Sequence, residues 1–214
     1  FRDAGGLWDK YPVMQVASAE GYVRDPELVI NFYNERRKQL LDVEPNAGHT
    51  GLAELEKDFN VTVVTQNVDN LHERAGSTHV IHLHGELTKV CSSRDPYNPR
   101  YVRELKPEEY EVKMGDKAGD GSQLRPFIVW FGEAVPEIET AIGYVEKADI
   151  FVIIGTSMNV YPAAGLLNYV PRTAEVYLID PKPVDIHSMR RIHVIQKGAS
   201  EGVKELQSLL FTPL

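Results

Sequence analysis

Residues 79–86 read HVIHLHGE, which places His79, His82 and His84 within six residues and a Gly-Glu pair straight after them. Imidazole ligates zinc and also exchanges a proton near neutral pH. The cluster therefore admits a metal centre, a general base, or a polar strand end without chemistry. A zinc site needs a third ligand and a surrounding layer of hydrogen bonds. The nearest further candidates, His72 and Cys91, stand at spacings that match no common zinc pattern. A single base needs neither, because an imidazole of ordinary pKa, ~6.5, can take a proton from a sugar hydroxyl. Residue types alone do not separate such a base from a hydrogen-bonded core histidine.

Two more polar clusters follow apolar runs. TQNVDN packs Gln66, Asn67, Asp69 and Asn70 behind VTVV. An Asx turn accounts for one or two such residues, and the surplus suits a ribose or an amide as hydrogen-bonding partner. Behind DIFVII, Gly155 permits close backbone approach while Thr156 and Ser157 offer hydroxyls beside backbone N–H groups. That combination suits a phosphate, although a plain strand-to-helix cap uses the same residue types.

The elements that must carry these clusters can be read from period and punctuation. Segment 25–42, DPELVINFYNERRKQLLD, predicts a helix with Asp25 as N-cap, Pro26 in the first position, and Leu28, Phe32 and Leu40 recurring. Segment 45–59 predicts a second helix with Leu52, Leu55 and Phe59 on one face. NVTVVTQN (60–67) reads as a buried strand and HVIHLH (79–84) as a shorter one, on which His82 and His84 share a face and His79 takes the other. Four more strands are expected at FIVWF (127–131), DIFVIIG (149–155), EVYLID (175–180) and HVIQK (193–197), with helical patterns between them in PEIETAIGYVEKA, PAAGLLNYV and SEGVKELQSLL. Short apolar strands alternating with helices predict a doubly wound, Rossmann-like α/β fold around a parallel sheet. Ligands in such folds bind beyond the carboxyl ends of the strands, where the polar clusters lie. The stretch 88–125, rich in Pro, Gly and charge, reads as a helical or irregular small subdomain, poorly packed in its second half.

Bulk properties narrow the classes. The chain has 214 residues, 43% hydrophobic and 25% charged, with net charge −8. This is an ordinary globular composition with no long basic run, so a duplex nucleic-acid partner is not expected. No apolar run approaches the length of a membrane-spanning helix, and no membrane association is expected. Cys91 is the only cysteine, which excludes an intrachain disulfide and a four-cysteine zinc site and points to a reducing, cytoplasmic location. The chain opens abruptly on FRDAGGLW, as if within a loop, so residues upstream are expected.

Six motifs together resemble the sirtuin family of NAD-dependent protein lysine deacylases. They are FRDAGGLW (1–8), TQNVDNLHERAG (65–76), HLHGEL (82–87), VWFGE (129–133), GTSMNVYPAAG (155–165) and KGAS (197–200), and they occur in the family's order across nearly the whole chain. The resemblance implies a single catalytic unit with NAD as cofactor and acyl-lysine proteins or peptides as partners. It implies a Rossmann-like part over about 45–87 and 126–214 and a small domain over about 10–44 and 88–125. His84, the histidine before Gly, would activate a ribose hydroxyl after the acyl oxygen has displaced nicotinamide, and the products would be free lysine and O-acyl-ADP-ribose. Asn67, Asp69 and Gln66 would hold the nicotinamide and its ribose, and Phe1 and Arg2 would belong to the loop over the reactive ribose. Gly155, Thr156 and Ser157 would form the phosphate turn, with Ala199 of KGAS also on the cofactor. Val129, Phe131, Gly132 and Glu133 would pair with the substrate backbone, a β-augmentation mode, and Val160 would also face the substrate.

A subgroup of sirtuins that removes succinyl and malonyl groups carries a Tyr-x-x-Arg pair and a small Ala that widens the acyl pocket. This chain has Tyr33 and Arg36 at i, i+3 on one helical face, and Ala17 in Val16-Ala17-Ser18. A phenol hydroxyl and a guanidinium fork can bind a terminal carboxylate with charge-assisted bonds. On the bare helix, a solvated basic stretch Arg36-Arg37-Lys38 is the simpler reading. Most sirtuins also hold zinc through two cysteine pairs. Only Cys91 remains here, where the first would stand, so zinc is expected to be absent and no residue is assigned to a metal. The family's adenosine-ribose asparagine aligns with Leu178, and Asp180 is an alternative partner for that ribose. Two other readings stay open at this point: a general lysine deacetylase, and a non-catalytic NAD or ADP-ribose binding module. A monomer is expected.

Overall fold

The computed structural model describes residues 10–155, 163–183 and 190–211. Its contacts divide the chain into two units. One comprises Phe1–Val43, Asn67–Asn70 and His82–Pro136, and the other Glu44–Gln66, Leu71–Ile81 and Glu137–Leu214.

In the first unit, two short helices, α1 (Val13–Val16) and α2 (Ala19–Arg24), lead into the long helix α3 (Pro26–Leu40). Helix α3 starts where its cap predicts: the Asp25 carboxylate accepts from Leu28 N at 3.0 Å, and Pro26 occupies the first turn, where a missing N–H costs nothing. Beside it stands a three-stranded antiparallel sheet in the order β4 (Arg103–Glu104), β3 (Gly85–Ser92), β5 (Leu124–Ile128). Val90 pairs with Pro126, Cys91 with Arg125 and Ser92 with Leu124. Ile30 of α3 joins Val90, Leu105, Val112, Ala118 and Leu124 in one buried cluster.

This sheet corrects two sequence expectations. The segment 88–125 supplies β4 and parts of β3 and β5, and Val112, Ala118 and Leu124 in its second half are buried. The strand expected at 127–131 runs instead over Leu124–Ile128 and is antiparallel to β3, outside the parallel sheet. An apolar run such as FIVWF states burial, not the sheet to which the strand belongs.

In the second unit, β6 (Ile150–Ile154), β7 (Glu175–Ile179) and β8 (His193–Ile195) form the predicted parallel sheet in that order, in register from Ile150↔Glu175 to Ile154↔Ile179. A 3₁₀ stretch, Ala163–Tyr169, leads from β6 towards β7 where a helix was expected. Helix α4 (Ala47–Glu54) is closed by an Asn46–His49 capping box. Helix α7 (Ala199–Phe211) follows α5 (Leu71–Arg74) and α6 (Ile138–Val145), and its Val203 and Leu206 join Leu55, Ile179 and Ile195 in the core. Gly202 makes that approach possible, because a Cβ there would stand 2.2 Å from the Ile179 side chain. The remaining strands are β1 (Val63–Thr65) and β2 (Val80–His82), which pair with each other. Among the described residues, no helix is long and apolar enough to cross a membrane.

Candidate active site

The three histidines separate. Strand β2 ends at His82, and His84 falls in the turn before β3 rather than on a strand face shared with His82. The cause is Gly85, whose φ is +85° and whose added Cβ would meet the Phe127 carbonyl oxygen at 2.1 Å. His84 is half-buried, and its carbonyl accepts from Val129 N at 2.9 Å, which ties the turn to the VWFGE segment. His82 is buried with Nδ1 3.1 Å from the Asn67 carbonyl. A carbonyl only accepts, so Nδ1 carries the proton. His79 lies in the other unit, with Nδ1 2.9 Å from Thr62 Oγ1 and its ring edge-on to Tyr144. Thus His82 and His79 have structural partners.

The His82 bond does more than satisfy a ring nitrogen. Together with Leu87 N, which donates to Val68 O at 2.7 Å, it stitches the 67–70 segment to the β2–β3 turn. Asn67 and Asp69, the predicted nicotinamide and ribose partners, are therefore held by the same turn that carries His84.

Tyr33 and Arg36 are not a solvated pair. They are 1% and 8% exposed, which overturns the simple surface reading of the basic helix stretch. The Arg36 guanidinium lies 5.8 Å from the Phe32 ring centroid and 5.7 Å from that of Tyr33. Burial pulls the Arg36 pKa down, and attraction to Tyr33 and Asp69 resists that. Burial likewise pushes the Tyr33 hydroxyl up to about 12, so it stays protonated. Ala17 is also buried, and its carbonyl accepts from Phe131 N at 2.9 Å. Phe131 is 61% exposed and is followed by Gly132 at φ +90°.

Three buried polar residues in this unit escaped the sequence reading. Arg37, next to Arg36, points its guanidinium into the fold, donating to Leu87 O and Tyr110 O at 2.7 Å and to Asn34 Oδ1 at 2.8 Å. Arg125 forms a two-pronged pair with Glu133 at 2.7 and 3.1 Å and also donates to Ile128 O. Glu133 further accepts from Tyr97 Oη and Trp130 N, so its carboxylate braces the VWFGE turn. Trp130, 2% exposed, donates its indole N–H to Tyr33 Oη at 3.1 Å and lies 3.8 Å from the Arg125 guanidinium. The alternation in VWFGE could have marked Trp130 as inward-facing, but nothing in the sequence names its partner.

In the second unit, Gly155 ends β6 at φ +60°, and among the described residues no atom lies within 4 Å of where a Cβ would stand. Gln66 is half-buried and Ala199 opens α7. Leu178 is 1% exposed inside the sheet and cannot serve a ribose, while Asp180 Oδ1 accepts from Lys182 N at 2.8 Å. Phe1, Arg2, Thr156, Ser157 and Val160 lie outside the described residues.

These positions can be tested against the groups the resemblance implies. For NAD they fit: Gly155 takes the left-handed backbone, φ +60°, of a turn that can present N–H groups to a diphosphate. Asn70, beside Asn67 and Asp69, keeps a buried Oδ1 with no hydrogen-bond partner among the described residues, an acceptor still to be matched. For a four-thiolate zinc they do not fit. Cys91 is buried, its thiol is pushed up to about 12 by that burial, and its Sγ lies 3.8 Å from Pro126 O. Neighbouring Ser92 instead donates to Asp120 at 2.6 Å and shares a hydrogen bond with Ser122, which closes the same end of the sheet.

Comparison with known proteins gives the family. The Sir2 family profile matches residues 1–162. An NAD-dependent protein deacylase of Bacteroides thetaiotaomicron is 84% identical over 210 residues, covering 98% of this chain and 90% of that protein. One from Helicobacter pylori is 48% identical, covering 98% of this chain and 89% of the relative. Among solved structures, a Sir2 homolog–NAD complex superposes with TM-score 0.81 at 34% identity, covering 98% of this chain and 83% of that one. An ADP-ribose complex of a Sir2 homologue gives TM-score 0.82 at 34% identity, covering 100% and 87%.

Proposed function

The chain belongs to the Sir2 (sirtuin) family of NAD-dependent protein deacylases, and from that premise we propose that it removes acidic acyl groups, succinyl and malonyl, from protein lysines. The observation that carries this reading is the burial of Tyr33 and Arg36 together on one face of α3. A guanidinium and a neutral phenol hydroxyl on one helical face offer several donors to a single ligand, and a carboxylate at the end of an acyl chain accepts charge-assisted bonds of that kind. The small side chain of Ala17 suits a longer acyl chain. An acetyl group has no carboxylate to offer these donors, which is the basis of the preference.

NAD, when bound, would supply an electrophilic ribose carbon and nicotinamide as the leaving group. The chain's own residues do the rest. Asn67 and Asp69, held by the His82 and Leu87 bonds, position the nicotinamide ribose. His84 takes the proton of a ribose hydroxyl, so that this oxygen can attack the bound acyl carbon. Phe131 and Gly132 present backbone for pairing with the substrate peptide.

The test is Arg36→Ala in the full-length protein, assayed on succinyl- and acetyl-lysine versions of one peptide. The succinyl kcat/KM should fall about 10- to 100-fold, the scale of a lost hydrogen bond to a charged group, and the acetyl value far less. Equal losses on both peptides would sink the carboxylate pocket. They would leave a general deacetylase, with Tyr33 and Arg36 as mere packing.

A further inference from the structure

We infer that Trp130 is a specificity-positioning residue, which fixes the Tyr33 hydroxyl as a donor toward the acyl carboxylate. This rests on the acidic-acyl reading of Tyr33 and Arg36. An indole nitrogen can only donate, so the 3.1 Å contact between Trp130 Nε1 and Tyr33 Oη has one possible direction. The phenol oxygen accepts that bond and keeps one hydrogen of its own. Among the described residues Tyr33 donates that hydrogen to no acceptor, and its neighbour Arg36 has donors only. With the oxygen's acceptor side taken by Trp130, the hydroxyl hydrogen turns away from the indole, free for an entering carboxylate.

The indole is itself held in place. Its ring lies 3.8 Å from the Arg125 guanidinium and 5.1 Å, centroid to centroid, from Tyr22. Arg125 is pinned by both oxygens of Glu133 and by Ile128 O, and Glu133 also accepts from the Trp130 backbone N–H at 2.9 Å. Burial works against the Arg125 charge, and Glu133, with Cys91 and Tyr97, more than offsets it. Selectivity for the acyl group therefore depends on a residue that need not touch it.

The experiment is a double-mutant cycle on succinyl- and acetyl-lysine peptides with the full-length protein: wild type, Trp130→Phe, Tyr33→Phe and both together. Phe keeps a flat ring and removes the N–H. Trp130→Phe should raise KM for the succinyl peptide about 3- to 10-fold, the scale of one hydrogen bond, with little change in kcat. In the Tyr33→Phe background the same change should have no further effect, because Trp130 acts only through that hydroxyl. Additive losses, or equal losses on both peptides, would show general packing and overturn the inference. If Trp130→Phe does not fold, benzothienylalanine at 130, which replaces N–H by sulfur at nearly the same shape, makes the same comparison. A wild-type enzyme with no succinyl preference overturns both this inference and the reading beneath it. A wild-type preference that Arg36→Ala removes and Trp130→Phe leaves intact overturns this inference alone.

Discussion

At the scale of single residues, neighbours of one type do different work. His79, His82 and His84 span six positions in the sequence. Nδ1 of His79 meets a threonine hydroxyl and Nδ1 of His82 a backbone carbonyl, while His84 sits in a turn set by Gly85. Their spacing alone left metal ligation and base catalysis both open, because imidazole serves either. What distinguishes them is the position of one left-handed glycine, and that is a property of backbone rather than of composition. His84→Ala should lower turnover by about 10²- to 10⁴-fold, the usual contribution of a general base. NAD affinity measured by calorimetry should stay within a few-fold. Turnover that survives the change would remove His84 from the role of base.

At the scale of elements, α3 shows how one helix both builds and serves the site. Its inner face carries Tyr33 and Arg36, while Asn34 and Arg37 tie it to β3 and to the loop before β5. Burial pulls the Arg37 guanidinium down to about 10, still charged at neutral pH, and three oxygens receive its N–H groups. Arg37→Ala strips those buried acceptors of their donor and should cost about 3 kcal/mol or more in unfolding free energy. A urea midpoint within error of wild type would show that α3 is held by its apolar face alone. The helix itself was legible: Asp25, Pro26 and the recurring apolar residues placed its start to the residue. The burial of its basic stretch was not, since Arg36-Arg37-Lys38 is equally the sequence of a solvated face. The antiparallel sheet was missed for a related reason. Local pattern does not state partners, and Val90, Cys91 and Ser92 meet Pro126, Arg125 and Leu124 across more than thirty residues of sequence.

At the scale of the whole molecule, the parallel β6–β7–β8 sheet and the sirtuin motifs were both read correctly from the chain, because alternating short apolar strands and helices leave few other architectures. The Arg125–Glu133–Tyr97 brace and the Trp130–Tyr33 bond were not, because each joins residues whose types are ordinary and whose proximity only the fold creates. The buried Tyr33 and Arg36 make the choice of acyl group the property to measure. The most direct measurement is kcat/KM of the wild-type, full-length protein with NAD on succinyl-, malonyl- and acetyl-lysine forms of one peptide. The acidic groups should lead acetyl by about tenfold or more, the scale of one charge-assisted hydrogen bond. An acetyl rate equal to or above the succinyl rate would contradict that preference.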